Sequence, residues 1–218
     1  QDALALHPDD TGLLDAYTNA LIACSRNAET VEPLLRLIDQ HPSDIKPYLD
    51  LAAYALSIKD NKNPLLDLET IEPILQEGLQ LDPENITGRL LYADLLAATE
   101  REELAKEIYV SLSEDVNLPI DTRWKVNYGL GVMSTKLGQM DIALAALEEA
   151  GIQNPSNFEI HQKLAETYAS ANLPNAAIES AQAALAIAPS DLGNLIWYSE
   201  FCTKVGDIPE ALSSLDAA

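Results

Sequence analysis

The chain has 218 residues, of which 47% are hydrophobic, and 35 acidic against 13 basic side chains give a net charge of −22. That hydrophobic content is ordinary for a folded protein and argues against disorder throughout. The negative field repels phosphate backbones, so nucleic-acid binding is not expected. No apolar run reaches the roughly 18 residues that cross a bilayer, so membrane insertion is not expected either.

The acidic charge is concentrated towards the N-terminus. Residues 1–121 contain 24 acids and 8 bases, whereas residues 122–218 contain 11 and 5. Any electrostatic preference for a basic partner is therefore expected in the N-terminal half. No signal peptide is visible, which favours a cytoplasmic location without fixing the compartment, because a chain that begins with Gln1 is expected to lack its N-terminal segment.

Small and apolar residues recur along the chain at a spacing of 34 residues. Leu130 and Gly131 correspond to Leu164 and Ala165, and Ala143 corresponds to Ala177. The pattern predicts the tail of a preceding repeat at 1–10 and repeats at 11–44, 45–85, 86–123, 124–157 and 158–191, with a partial repeat at 192–218. The second and third repeats contain insertions. Apolar spacing of three and four residues predicts two helices in each repeat.

Local signals predict where several of these helices begin and end. Pro33 and Pro73 are expected in a first helical turn, with Thr30 and Thr70 as N-caps, because a missing N–H is tolerated there. The stretch 99–102 fits a capping box that starts the second helix of the third repeat. Gly138, Asn172 and Gly206 are expected to adopt the left-handed conformation that ends a helix.

The repeat pattern resembles the tetratricopeptide repeat (TPR). The best match is Leu164-Ala165-x2-Tyr168 followed by Ala177-x3-Ala181-x2-Ala184-x4-Pro189. The resemblance implies an all-α fold, a right-handed α-solenoid superhelix of stacked antiparallel helix pairs that forms one TPR-like domain. Small residues at fixed positions would let the helices approach closely.

The ends of the sequence suggest a piece of a longer TPR protein, because no polar capping repeat is visible. Apolar residues near both ends would then be open to solvent: Leu4 and Leu6 at one end, Leu212 and Leu215 at the other. Exposed apolar faces favour end-to-end self-association. The insertion at 59–69 is expected to be flexible.

No catalytic, cofactor-binding or metal-binding residues are predicted. His7, His41 and His161 have no Cys or carboxylate partner at ligand spacing, and Cys24 and Cys202 fall in helical apolar patterns. The chain is therefore not expected to be an enzyme or to require a cofactor.

The TPR resemblance places candidate binding residues on the first helix of each repeat, which in this family lines a concave groove. Acidic residues at positions 15 and 50 argue against a clamp for a terminal carboxylate. The protein-binding candidates mix charged and apolar side chains: Asp15, Asn19, Leu49, Asp50, Leu90, Asp94, Lys125, Tyr128, Val132, Lys163, Glu166, Trp197 and Glu200.

Two functions fit these observations. The first is a protein-protein interaction scaffold that binds a peptide or protein segment with basic and apolar residues in the groove. The second is a regulatory or scaffolding arm of a larger enzyme or sensor, whose catalytic domain lies outside this chain. For Trp197 the sequence leaves two roles open, an anchor for a ligand and a residue that packs against a neighbouring repeat.

Overall fold

The computed structural model describes residues 10–23, 27–58 and 67–206. The predicted tail of a preceding repeat, most of the insertion at 59–69, Cys24 and the four apolar end residues lie outside these ranges. The described residues form helices and turns and contain no strand. The repeat boundaries given above stay a prediction.

The described part of the chain contains eleven helices. In chain order they are α1 (Thr11–Ala23), α2 (Asn27–Gln40), α3 (Lys46–Ser57), α4 (Leu68–Leu81), α5 (Ile86–Ala98), α6 (Glu102–Ser113), α7 (Ile120–Lys136), α8 (Met140–Gln153), α9 (Phe158–Ser170), α10 (Pro174–Ile187) and α11 (Leu192–Val205). We call the odd-numbered helices first helices and the even-numbered helices second helices.

The chain divides into two compact units, Gln1–Ile108 (unit 1) and Tyr109–Ala218 (unit 2). In unit 1, α1 packs on α2 and α3 on α4, and the first helices α3 and α5 also touch. In unit 2, α7 packs on α8 and α9 on α10, and the first helices α7 and α9 touch. Each unit is therefore built from helix pairs whose first helices lie side by side.

Small side chains occupy the closest helix contacts. Ala165, Ala177 and Ala184 are all 0% exposed. In α7, a Cβ added to Gly131 would lie 2.5 Å from Cγ of the buried Leu147 on α8. A side chain of any size at position 131 would collide with α8, so close packing requires glycine there.

Four of the described first helices are followed by a residue in the left-handed backbone conformation. Gly138, Asn172 and Gly206 have φ values of 72°, 61° and 90°, which confirms the sequence prediction. Glu100 adopts the same conformation, with φ of 58°, between α5 and α6. A residue with a Cβ is strained there, so this turn depends on contacts around it.

The capping-box prediction at 99–102 is wrong. Thr99 follows the end of α5, and its hydroxyl donates to the carbonyl oxygen of Leu95 at 2.9 Å. The guanidinium of Arg101 donates to the same hydroxyl at 2.9 and 3.0 Å, while it also pairs with Glu72 on α4. Because its hydroxyl bonds to the end of α5 and to Arg101, Thr99 does not cap α6.

The prediction for the two prolines is also wrong. Both α2 and α4 begin before Thr30 and Thr70, so Pro33 and Pro73 lie inside the helices, beyond the first turn. Asp67, in an extended conformation, is the residue that precedes α4, so this helix begins upstream of Thr70. Each proline removes one helical donor from a position where it would otherwise be used.

Candidate protein-binding face

The predicted binding residues all lie on first helices, on α1, α3 and α5 in unit 1 and on α7, α9 and α11 in unit 2. We call the surfaces of these two sets the first-helix faces of unit 1 and unit 2. Contacts between α3 and α5, and between α7 and α9, hold successive first helices next to each other within a unit. Side chains from neighbouring first helices can therefore meet on one surface.

In unit 1 the side chain of Lys46 forms ion pairs with two of the predicted acidic residues. Lys46 Nζ lies 2.7 Å from Asp15 Oδ1 and 2.8 Å from Asp50 Oδ2, and Asn19 Nδ2 donates to Asp15 Oδ2 at 3.3 Å. The hydrogen bond with Asp15, followed by that with Asp50, raises the pKa of Lys46 well above its ordinary value. The acids expected to attract a basic partner are therefore already in ion pairs, although exposed pairs of this kind contribute only about 0–1 kcal/mol each.

The two leucines predicted for unit 1 contribute mainly to packing. Leu90 is 9% exposed and belongs to the core, so it has little surface to offer to a partner, and its role in binding stays a prediction. Leu49 is half-buried against the core of unit 1, and its Cδ2 lies 3.1 Å from where a Cβ on Gly88 would be. Asp94 is half-buried on α5.

On α7 the structure separates exposed from packed candidates. Lys125 is exposed, with its Nζ 5.7 Å from the centroid of the Trp124 ring, a distance at which a cation interacts with an aromatic face. Val132 is half-buried.

Tyr128 and the candidates on α9 form one electrostatic group in unit 2. Lys163 Nζ and Glu166 Oε2 are 2.6 Å apart, one helical turn from each other. Tyr128 is half-buried, and burial raises the pKa of its hydroxyl, with the negative charges of Glu159 and Glu166 adding to that rise. The negative charges on α9 thus act on the hydroxyl of Tyr128 on α7.

Trp197 lies in an aromatic cluster on α9 and α11. Its ring stacks on Phe201 with centroids 5.4 Å apart and meets Phe158 edge-on at 5.5 Å. It is half-buried, so one part of the ring packs and another part faces solvent. Glu200, on the same helix, is exposed.

A cleft of about 330 Å³ opens beside this cluster, between α9 and α11 of unit 2. Phe201 forms part of its wall, and Lys204 and Glu166 supply its charges. The sequence pattern did not single out Phe201 or Lys204, although an aromatic pair four residues apart on one helix was a visible signal. The lining residues are Glu166, Ala169, Ser170, Asn172, Pro174, Phe201, Lys204 and Val205.

Two further side chains with shifted pKa values, Glu72 and Tyr168, form hydrogen bonds between helices. Glu72 on α4 accepts a bond from Tyr92 on α5 at 3.3 Å, and Glu148 on α8 accepts one from Tyr168 on α9. The ion pair with Arg101 lowers the pKa of Glu72, whereas burial and the bond to Glu148 raise the pKa of Tyr168 to about 12. Both pKa shifts are therefore explained by contacts that hold the structure together.

Two further observations concern chemistry and membranes. Within the described ranges, no three His, Cys, Asp or Glu side chains are grouped so that they could hold a metal ion. None of the described helices is both long and apolar enough to cross a bilayer.

Comparison with known proteins gives a clear result for the fold. The sequence matches no protein-family model and no curated protein. The structure is similar to that of PilW, described as a widely conserved type IV pilus biogenesis factor, with a TM-score of 0.81, 15% identity and coverage of 95% of this chain and 91% of PilW. The structure is also similar to that of PilF of Pseudomonas aeruginosa, with a TM-score of 0.74, 15% identity and coverage of 94% of this chain and 88% of PilF.

A third similar structure is YrrB, described as a TPR protein with an unusual peptide-binding site. Its TM-score is 0.60, with 20% identity over 85% of this chain and 90% of YrrB. The chain has the tetratricopeptide-repeat fold. At these identities the likeness concerns the fold alone. The TPR fold accounts for the helix pairs, the small residues between them and the adjacent first helices described above.

Proposed function

We propose that this TPR chain is a protein-protein interaction scaffold that holds a segment of another protein on its first-helix faces. The observation that carries the proposal is the contact between successive first helices, α3 with α5 and α7 with α9. This contact gives each unit a surface on which exposed and half-exposed side chains of several helices are adjacent. The fold shared with other TPR proteins supports a scaffold role in general.

Unit 2 offers the stronger binding chemistry. Trp197 and Tyr128 are half-buried aromatic residues, the type that supplies most hot-spot contacts in interfaces. The cleft between α9 and α11 adds a concavity next to Trp197. YrrB is described as having an unusual peptide-binding site, and a peptide is the ligand we propose for this chain as well.

The partner was expected to carry basic and apolar residues. The apolar part of that expectation agrees with the aromatic cluster and the cleft. The basic part has less support in unit 1, because Lys46 already pairs with Asp15 and Asp50.

We also propose that the chain has no catalytic activity of its own. The described ranges contain no group of three His, Cys, Asp or Glu side chains that could hold a metal ion. The pKa shifts of Glu72 and Tyr168 arise from an ion pair, from burial and from hydrogen bonds between helices. A role as the regulatory arm of a larger enzyme or sensor is the second candidate. It predicts a catalytic domain in the complete gene product, so the full reading frame separates it from a free-standing scaffold.

Peptide selection tests the proposal. The chain is used to select peptides from a random-sequence phage-display library, and the affinities of the selected peptides are then measured for two matched variants. Glu200→Arg changes an exposed residue on the first helix α11, and Glu179→Arg makes the same change on the second helix α10. We expect Glu200→Arg alone to change the affinity. Failure to select any peptide, or an effect of Glu179→Arg as large as that of Glu200→Arg, would refute the proposal.

A further inference from the structure

The net negative charge of the protein lies outside the first helices, because the acids on these helices are matched by an equal number of bases. The six first helices together contain seven acids and seven bases, whereas the five second helices contain thirteen acids and two bases. The first helices are therefore neutral in sum, and the second helices carry most of the negative charge found in the described helices. The net charge of the whole chain acts on a partner at long range, but it does not describe the local charge of the surface that we propose for binding.

Unit 2 shows the same separation more sharply. All five bases of residues 122–218 lie on its first helices: Arg123, Lys125, Lys136, Lys163 and Lys204. The second helices α8 and α10 contain four acids and no base. A basic partner would thus find more negative charge on the second helices than on the first-helix face of this unit.

The cleft between α9 and α11 has little free negative charge. Glu166 is the one acid among its described lining residues, and Lys163 neutralises it at a distance of 2.6 Å. Lys204, on the opposite side, has no ion pair or hydrogen bond with any residue that the structure describes. A positively charged side chain entering the cleft would meet Lys204, and an anionic segment would approach a chain with a net charge of −22.

The rest of the cleft favours an apolar occupant. Phe201, Ala169 and Val205 provide apolar wall, and the stacked ring of Trp197 holds Phe201 in place. A fixed aromatic wall reduces the entropy lost when a side chain is bound. The volume of about 330 Å³ falls at the lower end of the range of small-ligand pockets and has room for one large side chain.

We infer that the first-helix face of unit 2 recognises an uncharged, apolar segment of its partner, which inserts its largest side chain into the α9–α11 cleft. This inference rests on the proposed function and narrows the expected partner from basic and apolar to uncharged and apolar. Electrostatic steering contributes little to such an interaction, so its affinity should depend weakly on salt.

The test uses peptides that the intact chain selects from the random-sequence library, labelled for fluorescence anisotropy. Their dissociation constants are measured at about 0.1 M and about 1 M NaCl, where the Debye length falls from about 10 Å to about 3 Å. We expect enrichment of aromatic and aliphatic residues without enrichment of Lys or Arg, and a change in Kd of less than about threefold. Peptides rich in Lys or Arg that weaken tenfold or more, a loss of about 1.4 kcal/mol, would overturn the inference.

Two matched variants locate the binding. Ser170→Arg places a long charged side chain at the rim of the cleft, and Gln182→Arg places the same side chain on the exposed part of α10. We expect Ser170→Arg to weaken binding about tenfold and Gln182→Arg to leave it unchanged. Equal effects of the two variants would contradict a site in the cleft.

Fluorescence gives a measurement that needs no blocking variant. In a Trp124→Phe background the one remaining tryptophan is Trp197, which stacks on the cleft residue Phe201. Saturating peptide should shift its emission, and an unchanged spectrum at saturation would overturn the assignment to this cleft.

The outcomes separate the two proposals. Lys-rich peptides that still lose affinity with Glu200→Arg would contradict the inference and leave the scaffold function intact. A failure to select peptides would contradict the scaffold function and, with it, the inference.

Discussion

Replacing Gly131 with alanine should destabilise the protein, although alanine is the better helix former. The new Cβ would lie 2.5 Å from Leu147 Cγ, 2.8 Å from Leu147 Cδ2 and 3.2 Å from the carbonyl oxygen of Ala143. Carbon atoms in good contact are about 3.5–4.0 Å apart, so the overlap with Leu147 is about 1 Å. Leu147 is 0% exposed, so moving its Cγ away would require a change of χ1 inside the packed core.

The magnitude follows from two opposing terms. Overpacking a core costs about 1–3 kcal/mol, and replacing glycine by alanine within a helix returns about 1 kcal/mol. We therefore expect Gly131→Ala to lower the free energy of unfolding by about 1 kcal/mol. Gly151 on α8 is the matched control, because its added Cβ would have its nearest neighbour, Leu164 Cδ1, at 3.7 Å. Gly151→Ala should raise the free energy of unfolding by up to about 1 kcal/mol.

Urea denaturation followed by circular dichroism measures both changes. The two glycines lie on the packed helices α7 and α8, so they report on the same part of the molecule. Combining Gly131→Ala with Leu147→Ala should cost less than the sum of the single changes, since the smaller residue removes the overlap. A Gly131→Ala protein as stable as wild type would refute the reasoning that close packing of α7 on α8 requires glycine there.

Three further substitutions or conditions test other parts of the structure. Pro73→Ala, at an exposed site inside α4, should stabilise the protein by about 1–3 kcal/mol in urea denaturation, and destabilisation would count against a continuous helix through this position. Ser134→Ala should stabilise by about 1 kcal/mol, because the Ser134 hydroxyl is buried without a hydrogen-bond partner among the described residues; a loss of stability would indicate a partner for it. Arg101 lowers the pKa of Glu72 below its ordinary value, so the contribution of Glu72 to stability is present at neutral pH and is lost as the pH falls through the folded value. Glu72→Gln should remove that part of the acid dependence in pH-resolved thermal unfolding, and an unchanged acid profile would contradict it.

Much of the fold could be predicted because residue type reports directly on local geometry. Small residues recur every 34 positions at the helix contacts, and Ala177 and Ala184 are buried where that spacing expects them. Gly138 and Gly206 mark left-handed turns because glycine adopts positive φ without strain. The left-handed conformation of Glu100 could not be predicted in this way, because glutamate has no preference for positive φ.

The errors in the helix starts have the same origin. The residue before a helix is chosen by tertiary contacts as well as by capping preference. The hydroxyl of Thr99 is engaged by the side chain of Arg101, which Glu72 holds from a site 29 residues earlier in the chain. A local motif search has no access to such a contact.

The binding face was predictable only in outline. The TPR resemblance identified the first helices as the carriers of the candidate residues, and Lys46 with Asp50 had the four-residue spacing of a helical ion pair. The pairing of Lys46 with Asp15 joins residues 31 positions apart and left no sequence signal. The burial of Leu90 could not be predicted, because the apolar positions of a first helix do not distinguish the core from the binding face.

Hydrogen exchange tests the central claim most directly, that partners bind the first helices. Amide exchange is measured by mass spectrometry for the intact chain with and without a saturating amount of a selected peptide. The account predicts slower exchange in α9 and α11, with little change in α8 and α10. Slower exchange confined to the second helices would contradict it.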